Sequence, residues 1–252
     1  MKKVVLITGA SSGFGEACAR LFATGDVSLI LLARRERKLI ELAQSLPLAE
    51  KDFHIIAADL RDAEQITEAM SGLPSEFSAV DILINNGGLA LGMSAAQEAD
   101  LDDWEAMVDT NIKGLIRMTR LILPGMLERD RGHIVNIGSI AGSWPYPGGN
   151  AYCGTKAFVQ QFSRSLRADL LASAIRVSNI DPGMAETEFS QVRMHGNVDK
   201  AEAVYKDTKP LLAEDIANII HWVTAVPDHV NINSLEVMPT CQAWGPLAVH
   251  RG

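Results

Sequence analysis

Seven short apolar runs punctuate this chain of 252 residues, and they lack the regular polar alternation of a sheet with one wet face. They read VVLIT, SLILLA, HIIAAD, DILIN, HIVNIGS, IRVSNI and NSLEVM. Between them lie segments of helical period at 14–24, 36–46, 62–72, 101–128, 151–172 and 213–225. A strand that is apolar on both sides must be covered on both sides, which is the signature of a parallel sheet between helices. The expected fold is therefore α/β, a single-domain Rossmann-like doubly wound sheet of seven parallel strands flanked by helices. No repeat, low-complexity tract or linker divides residues 1–252, so one domain is expected. Residues 184–212 lack strong periodicity and read as an insertion, a candidate lid, and 239–252 form an apolar C-terminal tail.

Composition narrows the function. Hydrophobic residues make up 47% and charged residues 21%, the proportions of an ordinary globular protein. The net charge of -8, with no basic run or aromatic-basic stripe, argues against nucleic acid. The start MKKVVLITG carries two lysines, but its apolar run is four residues, short of the roughly 7 to 15 of a secretory core. SLILLA is likewise far from the ~20 residues of a membrane span. A soluble, cytoplasmic protein without membrane contact is expected. Cys18, Cys153 and Cys241 are odd in number and widely spaced, and the six histidines form no pair at ligand spacing, so neither disulfides nor a metal is expected. Cys153 reads as a small packed residue, with a reactive thiol as the alternative.

The chemistry-bearing residues fall after strands, where open sheets bind ligands. In TGASSGFG, after the first strand, Gly9, Gly13 and Gly15 let the backbone turn and approach a pyrophosphate at a helix N-terminus. After the second strand, where an acid would hold a ribose 2′-hydroxyl, stand Arg34 and Arg35. An arginine there suits a 2′-phosphate, hence NADP(H), and Arg34 is the favoured one of the pair. The alternative is two solvated arginines opening a helix. Asp59, ending the third strand, suits an adenine amino group or, alternatively, a helix cap for which Asp62 competes. NNGG at 85–88 offers close backbone approach and amide ties, with a plain loop as the other reading. Tyr152 and Lys156 are four apart on one helical face, and an ammonium near a phenol favours phenolate, lowering a pKa of about 10. Taken alone, the pair reads first as a core tyrosine beside a solvated lysine.

Read together, these residues resemble the short-chain dehydrogenase/reductase family over essentially the whole chain. TGASSGFG is similar to its cofactor loop and NNGG to its NNAG element, with glycine in place of alanine; Asn111, Ser139, Tyr152 and Lys156 match its catalytic tetrad in order. The resemblance implies that Ser11, Ser12, Phe14, Leu60, Asn85 and Gly87 stand beside the cofactor, and that Pro182, Gly183 and Thr187 lie against the nicotinamide amide. In the family's scheme Tyr152 exchanges a proton with the substrate oxygen, Ser139 hydrogen-bonds that oxygen, Lys156 holds the nicotinamide ribose, and Asn111 supports a water chain to Lys156.

NNGGLALGM, GSIAGSWPYPGGNAY, TEFSQVR and DHVNINSLEVMPT further resemble a bacterial subgroup of NADP-dependent 3-hydroxy acid dehydrogenases, which act on L-serine, L-allo-threonine and 3-hydroxypropionate or, in reverse, on malonic semialdehyde. Similar enzymes reduce sulfoacetaldehyde to isethionate. Trp144 and Tyr146 would wall a small pocket, and Arg193 in the lid would close over a carboxylate or sulfonate, or else is a solvated loop arginine. The resemblance also implies long helices packed between the subunits of a homotetramer, with the tail reaching a neighbour or folding over its own domain. A rival of another class is a non-catalytic NADPH-binding sensor, for which an intact Ser139, Tyr152 and Lys156 would be superfluous.

Overall fold

The computed structural model describes residues 2–245 and 249–251. Seven strands, β1 (Lys3–Thr8), β2 (Val27–Ala33), β3 (Phe53–Ala57), β4 (Val80–Asn85), β5 (Gly132–Ile137), β6 (Ile175–Pro182) and β7 (Ser234–Val237), form one sheet in the order β3-β2-β1-β4-β5-β6-β7. Every pairing is parallel. The strand order reverses between β1 and β4, and such a switch point opens a crevice at the carboxyl ends of the strands.

Successive side chains of a strand face opposite ways, and the core divides accordingly. Val5 and Ile7 pack with Leu29, Leu31 and helices α1 (Gly13–Phe22) and α9 (Ala213–Ala225) on one face. Val4 and Leu6 pack with Ile30, Leu32, Met118 and Ile122 on the other. All of these strand residues are at most 4% exposed, and each fully buried aliphatic side chain contributes about 1.5–3 kcal/mol. The apolar runs of β1 and β2 thus lack polar alternation because both faces are covered. The edge strands β3 and β7 are only partly buried.

The remaining helices are α2 (Glu36–Ser45), α3 (Ala63–Ser71), α4 (Leu101–Val108), α5 (Leu115–Glu128), α6 (Asn150–Asp169), α7 (Glu188–Arg193) and α8 (Val198–Tyr205). The single helix expected over 101–128 is divided: Asp109–Gly114 is π-helical and joins α4 to α5. One inserted residue shifts the ladder without disturbing apolar periodicity enough to be read from sequence. The stretch 184–212 holds α7 and α8, too short to show a period. Its ends are tied together by a bridge between Ala185 and Leu211, so the insertion leaves and re-enters the domain at one point. Of the tail, Pro246–Ala248 and Gly252 lie outside the described residues. Its described part folds over its own chain: Gln242 accepts a hydrogen bond from Met184 N at 2.8 Å, and Arg251 donates to the Lys206 carbonyl.

Candidate active site

A cleft of about 300 Å³ runs along the carboxyl ends of the strands, and the glycine-rich turn forms one end. Gly9 has φ +67°, a left-handed conformation that costs a glycine little. A Cβ on Gly15 would come within 2.3 Å of the Gly9 carbonyl, so turn and helix close tightly only because both are glycine. Ser12 caps α1 without a side-chain hydrogen bond to it, which leaves first-turn amides for an anion. Ser11, Ser12, Gly13 and Phe14 line the cleft, as do Gly9, Leu60 and Gly87.

The two arginines after β2 are placed differently. Arg35 spans the glycine turn, donating to Ser11 and Ser12 and pairing with Glu188 at 2.8 Å. Arg34 keeps 59% of its side chain exposed and only approaches Asp59, at 3.9 Å. Both line the cleft, and Arg34 is the one whose donors are largely uncommitted. Asp59 is also on the wall. Burial raises its carboxyl, but hydrogen bonds from Arg61 and the charges of Arg61 and Arg34 outweigh this and leave it below its ordinary value. Asp62, not Asp59, caps α3, by accepting from Gln65 N. These parts fit a dinucleotide: free helix-terminal amides for a pyrophosphate, an arginine at the rim and glycines wherever the backbone must approach.

Asn85 does not face the cleft. It ends β4 with its side chain turned inward, donating to Thr119 Oγ1 at 3.1 Å and Asn136 Oδ1 at 2.9 Å. Asn86, one residue on, ties β1 to the NNGG loop through Thr8 O and Gly9 O. Pro182, Gly183 and Thr187 close the far wall, with Thr187 capping α7.

At the cleft's inner end α6 presents Tyr152 and Lys156 one turn apart, 7% and 6% exposed. Lys156 Nζ lies 5.8 Å from the Tyr152 ring and donates to the Ile137 carbonyl at 2.8 Å. Ser139, after β5, accepts from Ala141 N at 3.1 Å, which leaves its own O–H available to donate. Asn111 sits in the π-helical segment; its side chain exchanges hydrogen bonds with the Leu89 backbone and donates to Thr155 Oγ1. Its two amide hydrogens are committed, while Oδ1 accepts only from Leu89 N and keeps a second lone pair. Thr155 thereby joins the site, although a threonine inside a helix gives no warning of it in sequence.

The charges depart from the expectation that Lys156 lowers the Tyr152 pKa. Burial pushes the phenol up, the neighbouring Tyr146 adds to this, and Ser139 and Arg193 only partly offset it. Burial also lowers Lys156, to about 8, with Asp181 pulling upward. Desolvation disfavours both charged forms and is the largest cause in each case. A phenol held protonated at neutral pH is a proton donor.

Two of the candidate substrate residues, Tyr146 and Arg193, stand beside Tyr152 at this end. The Arg193 guanidinium lies 5.1 Å from the Tyr146 ring centroid and 5.6 Å from that of Tyr152. Its Nε donates to Gly92 O at 3.3 Å, while one terminal nitrogen is buried with no partner. Trp144 Nε1 is likewise buried and unpartnered. Phe189, which sequence reading passed over, packs on Tyr152 at 5.7 Å between ring centroids. His195 pairs with Asp103 at 3.1 Å beyond this cluster. Among the described residues no group of three His, Cys, Asp or Glu could hold a metal, and no helix is long and apolar enough to cross a membrane.

A parallel sheet with a glycine turn at its switch point and a buried Ser-Tyr-Lys cluster defines a class, and the chain belongs to it: the short chain dehydrogenase family matches residues 3–197. The chain is 51% identical over 249 residues, 98% of its length and 99% of the relative's, to the NADP-dependent 3-hydroxy acid dehydrogenase YdfG of Escherichia coli O6:H1. It is 50% identical over 252 residues, all of both chains, to sulfoacetaldehyde reductase 2 of Chromohalobacter salexigens. The closed form of a serine dehydrogenase complexed with NADP+ superposes with TM-score 0.94 at 50% identity, covering 99% of this chain and 100% of that one.

Proposed function

We propose that this protein is an NADP(H)-dependent oxidoreductase interconverting a small 3-hydroxy acid (serine, L-allo-threonine or 3-hydroxypropionate) and its aldehyde or ketone, with malonic semialdehyde reduction as the reverse reaction. The observation that carries this reading is the Arg193 guanidinium over the Tyr152 ring, with a buried nitrogen that has no protein partner. An unmet buried donor is costly, and the carboxylate of a substrate whose oxygen reaches Tyr152 would meet it. The names of relatives alike over nearly the whole chain support the same substrate class.

The cofactor supplies or accepts the hydride when bound. Gly9, Ser11, Ser12, Gly13, Phe14 and Gly15 hold its pyrophosphate, Arg34 and Arg35 its 2′-phosphate, Asp59, Leu60 and Gly87 its adenosine side, and Pro182, Gly183 and Thr187 its amide. In reduction Ser139 donates a hydrogen bond to the carbonyl oxygen and Tyr152 delivers the proton to it. Lys156, titrating near 8, is poised to exchange a proton with the ribose and the phenol. Trp144, Tyr146 and Arg193 hold the substrate's anionic end, and residues 184–212 act as the lid.

A second reading, reduction of sulfoacetaldehyde to isethionate, is favoured by the full-length likeness to a sulfoacetaldehyde reductase. An arginine fork accepts a sulfonate as well as a carboxylate. The proposal extends to a homotetramer in the cytoplasm. Three free cysteines suit a reducing compartment, and the half-exposed Ile116 and Leu127 on α5 suit a subunit contact. The test compares kcat/KM for NADPH oxidation with malonic semialdehyde and with sulfoacetaldehyde. A preference for malonic semialdehyde is expected; a preference for sulfoacetaldehyde selects the second reading, and activity with neither overturns both.

A further inference from the structure

The Asp181 carboxylate lies under the reacting cluster at the end of β6, 1% exposed. Its Oδ1 accepts from Ser139 N at 2.9 Å, and its Oδ2 accepts from Asn179 Nδ2 and, at 3.3 Å, from Ser234 Oγ. It also dictates the residue above it: a Cβ on Gly138 would fall 2.0 Å from Oδ1. Gly138 stands between two residues that hold the cluster, for the Ile137 carbonyl receives the Lys156 ammonium and Ser139 carries the hydroxyl. Among the described residues no salt bridge reaches Asp181. A buried carboxylate served only by neutral donors is costly, and an uncharged asparagine or serine would fill the same space at less expense.

Resting on the reading of Ser139, Tyr152 and Lys156 given above, we infer that Asp181 is a positioning residue for the reaction: it pins the Ile137–Ser139 tripeptide and so fixes the Ser139 hydroxyl relative to the Lys156 ammonium that the Ile137 carbonyl holds. Among titratable groups, Tyr152 stands beside Lys156 on α6 and the Asp181 charge acts on it from β6. Burial lowers its pKa to about 8, and Asp181 is what pulls it back up. Burial likewise raises the Asp181 carboxyl, which hydrogen bonds from Asn179, Gln160, Ser139 and Ser234 partly counter. An acid immediately before Pro182-Gly183 was visible in the sequence, but its aim at Ser139 depends on the pairing of β5 with β6.

The test is the pH dependence of kcat for aldehyde reduction, with NADPH binding followed by its fluorescence. In Asp181→Asn, binding should stay within about threefold, kcat should fall about tenfold or more, and the alkaline limb should move down by about one pH unit because Lys156 loses its proton sooner. Asp181→Glu should return the limb to its wild-type position, because the charge is restored. A limb that Asp181→Asn leaves in place overturns the inference. Should Asp181→Asn not fold, Asp181→Glu decides: a wild-type limb supports the charge role, and a limb displaced with the charge present contradicts it. Tyr152→Phe separates the two levels. Turnover retained there would refute the reading of the site itself, whereas a dead Tyr152→Phe beside wild-type profiles for the Asp181 variants refutes only this inference.

Discussion

Arg34 and Arg35 are neighbours in sequence, yet Arg35 is bound to Ser11, Ser12 and Glu188 whereas Arg34 stands at the rim with its donors open. If Arg34 meets the 2′-phosphate, Arg34→Ala removes a charge-assisted contact of about 1.5–3 kcal/mol. The KM for NADPH should then rise about tenfold or more, with that for NADH nearly unchanged. Equal effects on the two cofactors would refute the 2′-phosphate assignment. At this scale the sequence was most legible where geometry is local. Tyr152 and Lys156 share a helical face whatever surrounds the helix, and Gly9 and Gly15 owe their identity to one turn. It was least legible where tertiary placement decides. Asn85 belongs to the same NNGG motif as Gly87, but as the last strand residue its side chain turns inward to Thr119 and Asn136. The Tyr152 phenol was expected to ionise easily beside Lys156; burial, which spacing does not reveal, holds it protonated.

The strands were readable as elements because each is a short apolar run, and the parallel pairing followed from the inner strands, which are buried on both faces, whereas β3 and β7 at the edges are only partly buried. Two features escaped. The π-helical turn at Asp109–Gly114 places Asn111 against Leu89 and Thr155, and a single inserted residue is lost within 28 residues of helical period. Helices α7 and α8, of six and eight residues, span too few turns to declare a period. The position of α7 is fixed at both ends by distant partners, Glu188 on Arg35 and Arg193 on Gly92. Arg193 could therefore be proposed from sequence as an anion ligand, but its seat over Tyr152 could not.

For the molecule as a whole, stability is coupled to pH through a residue remote from the cleft. His133, on β5, is 1% exposed and hydrogen-bonded to Ser178 at 2.9 Å; burial first, and Arg176 second, lower its pKa from 6.5 to about 3. A base neutral in the fold but protonated when unfolded stabilises fully above its unfolded pKa. That contribution is lost as pH falls from about 6.5 toward 3, by up to about 1.4 kcal/mol per unit. Melting temperature should therefore drop more steeply between pH 7 and pH 4 in wild type than in His133→Gln, and parallel curves would contradict this. The central claim concerns what the assembled cleft does: a protonated Tyr152, set between Lys156, Ser139 and Arg193, delivers the proton to a small anionic aldehyde. Its most direct test measures NADPH oxidation with malonic semialdehyde and NADPH binding side by side in wild type and Tyr152→Phe. Loss of turnover by about 100-fold or more with binding intact is the predicted result. Turnover that survives the loss of the phenol would contradict the account and favour a protein that binds the cofactor without using it.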